Sequence, residues 1–99
     1  MNAISSIALS GLHAAQTRMS SSAHNIANAA TPGFRRQLVA QQTAPNGGVA
    51  ATTQRAPAQG NALADDLVTL KLAQHLFTAN LKVLHTQDRM LGTLLDETA

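Results

Sequence analysis

Along the last third of the chain, Leu63, Leu67, Leu70, Gln74, Phe77, Leu81, Leu84, Asp88, Leu91 and Leu95 fall at strict four-then-three steps. Eight of these ten positions are apolar. A seven-residue repeat of this kind predicts a long helix that packs along one seam in the manner of a coiled coil. The helix is expected over residues 61–99, with Asn61 as its N-cap. Asp65 and Asp66 then fall in the first turn, where the helix dipole favours negative charge.

The first segment, residues 1–30, repeats a weaker pattern. Leu12, Ala15, Met19, Ser22, Ile26 and Ala29 recur at three- and four-residue steps and draw one stripe along a helix from Asn2 to about Ala29. Half of that stripe is small, which lets a neighbouring helix approach closely but buries little area. Six serines between Ser5 and Ser22 lower the helix propensity further, so this helix needs a partner.

Between the two lies a connector, residues 31–60. Pro32 disfavours helical backbone at Thr31, and Pro32-Gly33 suits a type II turn with Gly33 at positive φ. Pro45-Asn46-Gly47-Gly48 is a second turn signal. Its flanks, Phe34–Gln42 and Val49–Arg55, are only weakly strand-like. They admit a short marginal β-hairpin, while the Gln, Ala and Thr content favours a mobile connector. The fold expected is all-α: two long helices as an antiparallel coiled-coil hairpin, joined by an irregular connector and forming one structural unit.

Composition narrows the function classes. The 99 residues allow one small, marginally stable domain, with no Cys, Trp or Tyr and only Phe34 and Phe77 as aromatics. The core must therefore come from Leu, Ile, Val, Met and Ala. Seven basic against five acidic residues give a net charge of +2, and no basic stripe or reader motif argues for nucleic acid. No apolar run approaches the ~20 residues of a membrane span. The first residues lack the charged and apolar regions of a cleaved signal peptide. His13, His24, His75 and His85 lack the spacing of metal ligands on one helical face, and read as surface histidines. No acid is placed to orient His24 near the serines, and two helices with a linker offer little pocket for catalysis. No cofactor, metal or small-molecule substrate is expected, and no enzyme.

Two separated sets of residues together resemble a known family. Ser10-Gly11-Leu12 with Ala15-Gln16, then Asn25-Ile26-Ala27-Asn28, then Thr31-Pro32-Gly33-Phe34-Arg35-Arg36 is similar to the N-terminal signature of bacterial flagellar basal-body rod and hook proteins. Asp66-Leu67-Val68, Ala73-Gln74, Phe77, Ala79 to Val83, Thr86 and Met90 to Leu95 resemble that family's C-terminal helix. His24, Ala30, Asp66 and Phe77 stand where Asn, Asn, Glu and Tyr are frequent. The middle is also shorter than the family's usual β-containing central region.

The resemblance implies a structural subunit of the rod, the axial shaft through the periplasm. It would assemble by helix packing with like or related subunits as a homo- or hetero-oligomer. It also implies passage through the flagellar type III export apparatus without signal cleavage. The alternatives are an export-linked adaptor or regulator that binds rod or export proteins, and a generic coiled-coil dimerisation module.

Candidate subunit-interface residues follow. In the N-terminal part they are Leu12, Met19, Asn25, Ile26, Asn28, Phe34, Arg35 and Arg36. In the C-terminal helix they are Leu63, Leu67, Leu70, Gln74, Phe77, Asn80, Leu81, Leu84, Leu91 and Leu95. Asn25 and Asn28 lie one turn apart, and their amides either tie neighbouring subunits or satisfy their own helix end. Gln74 interrupts the second seam and either fixes register or sits at its rim, whereas Asp88 reads as a rim position. Arg35 and Arg36 either start a solvated connector or make salt-sensitive contacts with a neighbour.

Overall fold

A computed structural model describes residues 3–98. Helix α1 spans Ala3–Ala27, strand β1 Gln37–Thr43, strand β2 Val49–Arg55 and helix α2 Leu63–Thr98. The molecule is elongated, 63 × 25 × 13 Å, in keeping with the ~1.5 Å rise per residue of a 36-residue α2.

The helices run antiparallel. Asn61 reaches Ala29, Asp66 reaches Asn25, and Asn80 lies against Gly11. The same number of residues separates Gly11 from Asn25 as separates Asp66 from Asn80, so the two helices advance in step. Carried eight residues further, this pairing puts Ala3 level with Asp88. The last turns of α2 therefore have no α1 residue alongside among the described residues.

The α1 seam matches the sequence pattern and extends it towards the N-terminus. Ser5, Ala8, Leu12, Ala15 and Ser22 are buried, and Met19, Ile26 and Ala29 are half-buried. The α2 seam differs from expectation. The line facing α1 is Asp66, Leu70, Ala73, Phe77, Asn80, Leu84 and Gln87, all buried or half-buried. It also follows four-three steps but shares only Leu70, Phe77 and Leu84 with the expected line. Leu67, Gln74, Leu81 and Asp88 are rotated out and exposed. Two causes are visible. The small α1 seam accepts Ala73 and Asn80 at close range, and Asp66 is held inward by polar partners described below.

This helix pair buries little apolar area. The buried apolar residues are Ala8, Leu12, Ala14, Ala15 and Ala73. Each alanine removes only a methyl group from water, at ~25 cal/mol per Å², so the hydrophobic contribution is thin.

The expectation of an all-α chain with an irregular connector is corrected here, because the marginal hairpin is formed. β1 and β2 pair antiparallel from Gln37↔Arg55 to Thr43↔Val49. Ala44 accepts from the Gly47 amide and donates to the Gly48 carbonyl, with Pro45 and Asn46 at the centre of the turn. Gly47 and Gly48 take φ of +86° and +87°, which only glycine adopts readily.

The hairpin packs on α1 and is fastened at both ends. At the tip, Ser10 Oγ accepts from the Val49 amide at 3.0 Å and donates to the Ile7 carbonyl at 2.7 Å. At the base, Asn25 closes both backbone groups of Gln37. Seven strand residues span roughly 23 Å, the length of the α1 stretch between Asn25 and Ser10, so both anchors engage together. Tertiary anchoring thus supplies what the weak strand propensity lacks.

The rest of the connector is stitched to the turn after α1. The Phe34 amide donates to the Thr31 carbonyl at 3.3 Å, with Gly33 at φ +74°, as a type II turn requires. Gly60 donates to the Phe34 carbonyl at 3.1 Å, and Arg35 Nε donates to the Ala56 carbonyl at 2.6 Å. Asn61 is not the N-cap. Its Nδ2 donates to the Ala29 carbonyl at 2.9 Å, and the first helical bond of α2 runs from Asp66 to the carbonyl of Ala62.

Candidate functional site

The polar centre of the molecule lies where the end of α1, the start of β1 and the start of α2 meet. Asn25 is 2 % exposed. Its Nδ2 donates to the Gln37 carbonyl at 3.0 Å and to Asp66 Oδ1 at 3.3 Å, while its Oδ1 accepts from the Gln37 amide at 2.8 Å. Arg36 approaches the same carboxylate from the connector, Nε to Oδ2 at 3.1 Å and Nη2 to Oδ1 at 2.5 Å. A two-nitrogen grip on a carboxylate fixes angle as well as distance.

The hydrogen bond to Asp66 raises the Arg36 pKa above its ordinary value. Partial burial opposes that rise, and the charges of Asp66 and Asp65 add to it. Arg36–Asp66 is the only ion pair among the described residues. It joins positions thirty apart in sequence and ties all three regions together.

A second relationship sets how close the helices come. A Cβ built on Gly11 would lie 2.5 Å from Asn80 Oδ1 and 2.8 Å from its Cγ. Asn80 lies against the glycine and returns its Nδ2 to the Leu76 carbonyl at 2.9 Å. Gly11 thus marks a point of contact that any side chain would obstruct.

The remaining interface candidates divide into two groups. Asn28 serves its own helix end: Nδ2 donates to the His24 carbonyl at 2.9 Å, and Oδ1 accepts from Thr31 Oγ1 at 3.2 Å. Phe34 is half-buried with its ring 5.5 Å from that of His24. Leu12, Leu70, Phe77 and Leu84 face the partner helix within the chain. By contrast Leu63, Leu67, Leu81, Leu91 and Leu95 are exposed, as are Val68, Leu72, Leu76, Val83, Met90 and Leu94.

At 100° per residue these exposed side chains form two flanks. Leu63, Leu67 and Leu81 lie roughly 100° to one side of Ala73, and Leu72, Leu76, Val83 and Met90 about as far to the other. Leu91 and Leu95 continue the α1-facing side past Ala3. Ile4, Val83, Met90, Leu91 and Leu94 also bound an apolar groove of about 460 Å³.

Asp66 and Gly11 are the functional positions that sequence reasoning left out of the site. Gly11 carried a signal, since an isolated glycine inside a helical pattern usually has a packing reason. Asp66 stood in the C-terminal signature, but its first-turn position already had a local explanation and its partners were not visible in the sequence. Among the described residues no three His or carboxylate side chains converge as metal ligands, and no helix is long and apolar enough to cross a membrane.

No curated protein matches the chain. Residues 6–35 match the family model for the flagella basal body rod protein. That stretch holds most of α1, the turn after it and Arg35, and includes Gly11 and Asn25. The match covers 30 of the 99 residues, and through this segment the chain is similar to the flagellar basal-body rod proteins.

Proposed function

We propose that this protein is a structural subunit of the flagellar basal-body rod, assembling by helix packing with like or related axial subunits. The observation that carries this reading is the pair of uncovered apolar flanks on α2, on a chain that bears the rod signature. A thin alanine seam closes the monomer, and neighbouring helices cover the larger leucine surfaces. The exposed line through Leu63, Leu67, Leu81 and Leu95 has the spacing for coiled-coil packing with a neighbour. A heterologous contact of this kind that repeats without closing builds a helical filament. Residues 1–30, 31–60 and 61–99 act in it as one unit.

In this reading the rod is periplasmic, and the chain reaches it through the flagellar export apparatus. A subunit with so thin a core unfolds readily for export. In this reading Asp66, the one buried ionic side chain among the described residues, serves to hold the fold. The interface residues are the exposed ones, above all Leu63, Leu67, Leu81, Leu91 and Leu95.

The test is to purify basal bodies and probe for the chain, alongside a motility assay of the deletion strain. A rod subunit is present in the rod fraction, and its loss abolishes motility. An adaptor binds rod or export proteins but is missing from basal bodies. A generic dimerisation module leaves motility intact and forms a discrete oligomer.

A further inference from the structure

A polar cavity of about 190 Å³ opens beside the Asn25–Asp66 contact. Arg18, Ser21 and Ser22 of α1, Leu38 and Val39 of β1 and Thr69 of α2 line it together with Arg36 and Asp66. We propose that this cavity is a binding site for a single carboxylate group.

The argument rests on what the lining leaves unused. Arg36 is committed to Asp66. Arg18, the other guanidinium on the cavity, makes no ion pair among the described residues. Ser21 and Ser22 are 4 % and 3 % exposed, yet neither hydroxyl has a hydrogen-bond partner among the described residues. Serine is a poorer helix former than alanine, so two adjacent serines within α1 gain nothing locally.

The charges select the ligand. Two arginines against one aspartate leave one positive charge on the lining. That suits a monoanion, while Asp66 repels a dianion such as phosphate. A carboxylate presents two oxygens with about four acceptor positions. Arg18 offers it a charged fork, and Ser21, Ser22 and Thr69 offer hydroxyl protons. The carboxylate comes either from an acidic side chain of a neighbouring subunit or from a small free acid. The first source rests on the rod-subunit reading above, and the site itself does not.

The experiment uses the full chain at a concentration where it is helical. Thermal melts are followed by circular dichroism in sodium acetate and in sodium chloride at equal ionic strength. Acetate is expected to raise the midpoint of the wild type above its value in chloride, and Arg18→Gln is expected to abolish that difference. If Arg18→Gln loses its helicity outright, Ser22→Ala carries the comparison, with a reduced acetate shift expected. Sedimentation under the same conditions separates the sources. Acetate that reduces the assembled fraction competes with a neighbour's side chain, and acetate that leaves it unchanged occupies a site for a free acid. No acetate-specific shift in the wild type, or the same shift in Arg18→Gln, overturns the proposal and leaves the cavity to water.

Discussion

Arg36 holds Asp66 through two nitrogens, and the carboxylate it holds is only 4 % exposed. One partner follows the turn after α1 and the other opens α2, so the pair fixes which turn of α2 faces α1. Because Asn25 shares the same carboxylate, the helix end, the strand and the second helix are set in one register.

Breaking this pair from one side leaves a charge or donor without its partner. Asp66→Ala is expected to lower stability by about 2–4 kcal/mol, somewhat below the usual range for a fully buried pair because Arg36 keeps 22 % of its side-chain exposure. Arg36→Met combined with Asp66→Leu should recover much of that loss, since an apolar pair needs no desolvation. Urea denaturation at one fixed protein concentration measures both.

Asn25 and Asn28 separate in the structure although they look alike in the sequence. Asn25→Ala removes the partners of both half-buried Gln37 backbone groups and is expected to cost about 1–3 kcal/mol. Asn28→Ala loses an exposed bond to its own helix and should cost no more than about 0.5 kcal/mol. Equal effects on the helical signal would contradict this assignment.

Gly11 gives a prediction whose sign reverses. Alanine is the better helix former by about 1 kcal/mol, but here its Cβ meets the Asn80 amide. Gly11→Ala should therefore destabilise the wild type. In an Asn80→Ala background the obstruction is gone, and the same substitution should stabilise by about the propensity difference. Thermal melts of the four proteins complete the cycle.

Leu67→Glu and Leu81→Glu alter side chains that point away from α1 and are 50 % and 41 % exposed. Each should leave the dilute protein's helicity within about 0.5 kcal/mol of wild type, as surface substitutions do. Each should also suppress self-association in sedimentation. Loss of helicity in dilute solution would mean that the leucine serves the monomer.

The helices and their turns were legible in the sequence, because periodicity and Pro-Gly chemistry are local signals. The rotation of α2 was not. Leucine spacing identified the strongest apolar line, but only its Leu70, Phe77 and Leu84 face α1, while Leu67 and Leu81 stay exposed. The line that turned inward carries Asp66, Ala73, Asn80 and Gln87, chosen by close approach to Gly11 and by the pull of Arg36 and Asn25 on Asp66. Those causes join residues thirty to seventy apart, and no local pattern reports them. The hairpin was half legible: the turn glycines announced it, while its anchors, Ser10 and Asn25, lie in a different element. Asn25 itself stood out in the sequence for its neighbours in the signature, yet its partners within the chain were invisible there.

As a rod subunit, this chain is incomplete alone and is completed by neighbours on the α2 flanks. The most direct test is helix content by circular dichroism across a wide range of protein concentration, with sedimentation on the same samples. Weak helicity in dilute solution is expected, rising with concentration together with the assembled fraction. A monomer with a sharp thermal transition that does not move with concentration would contradict it.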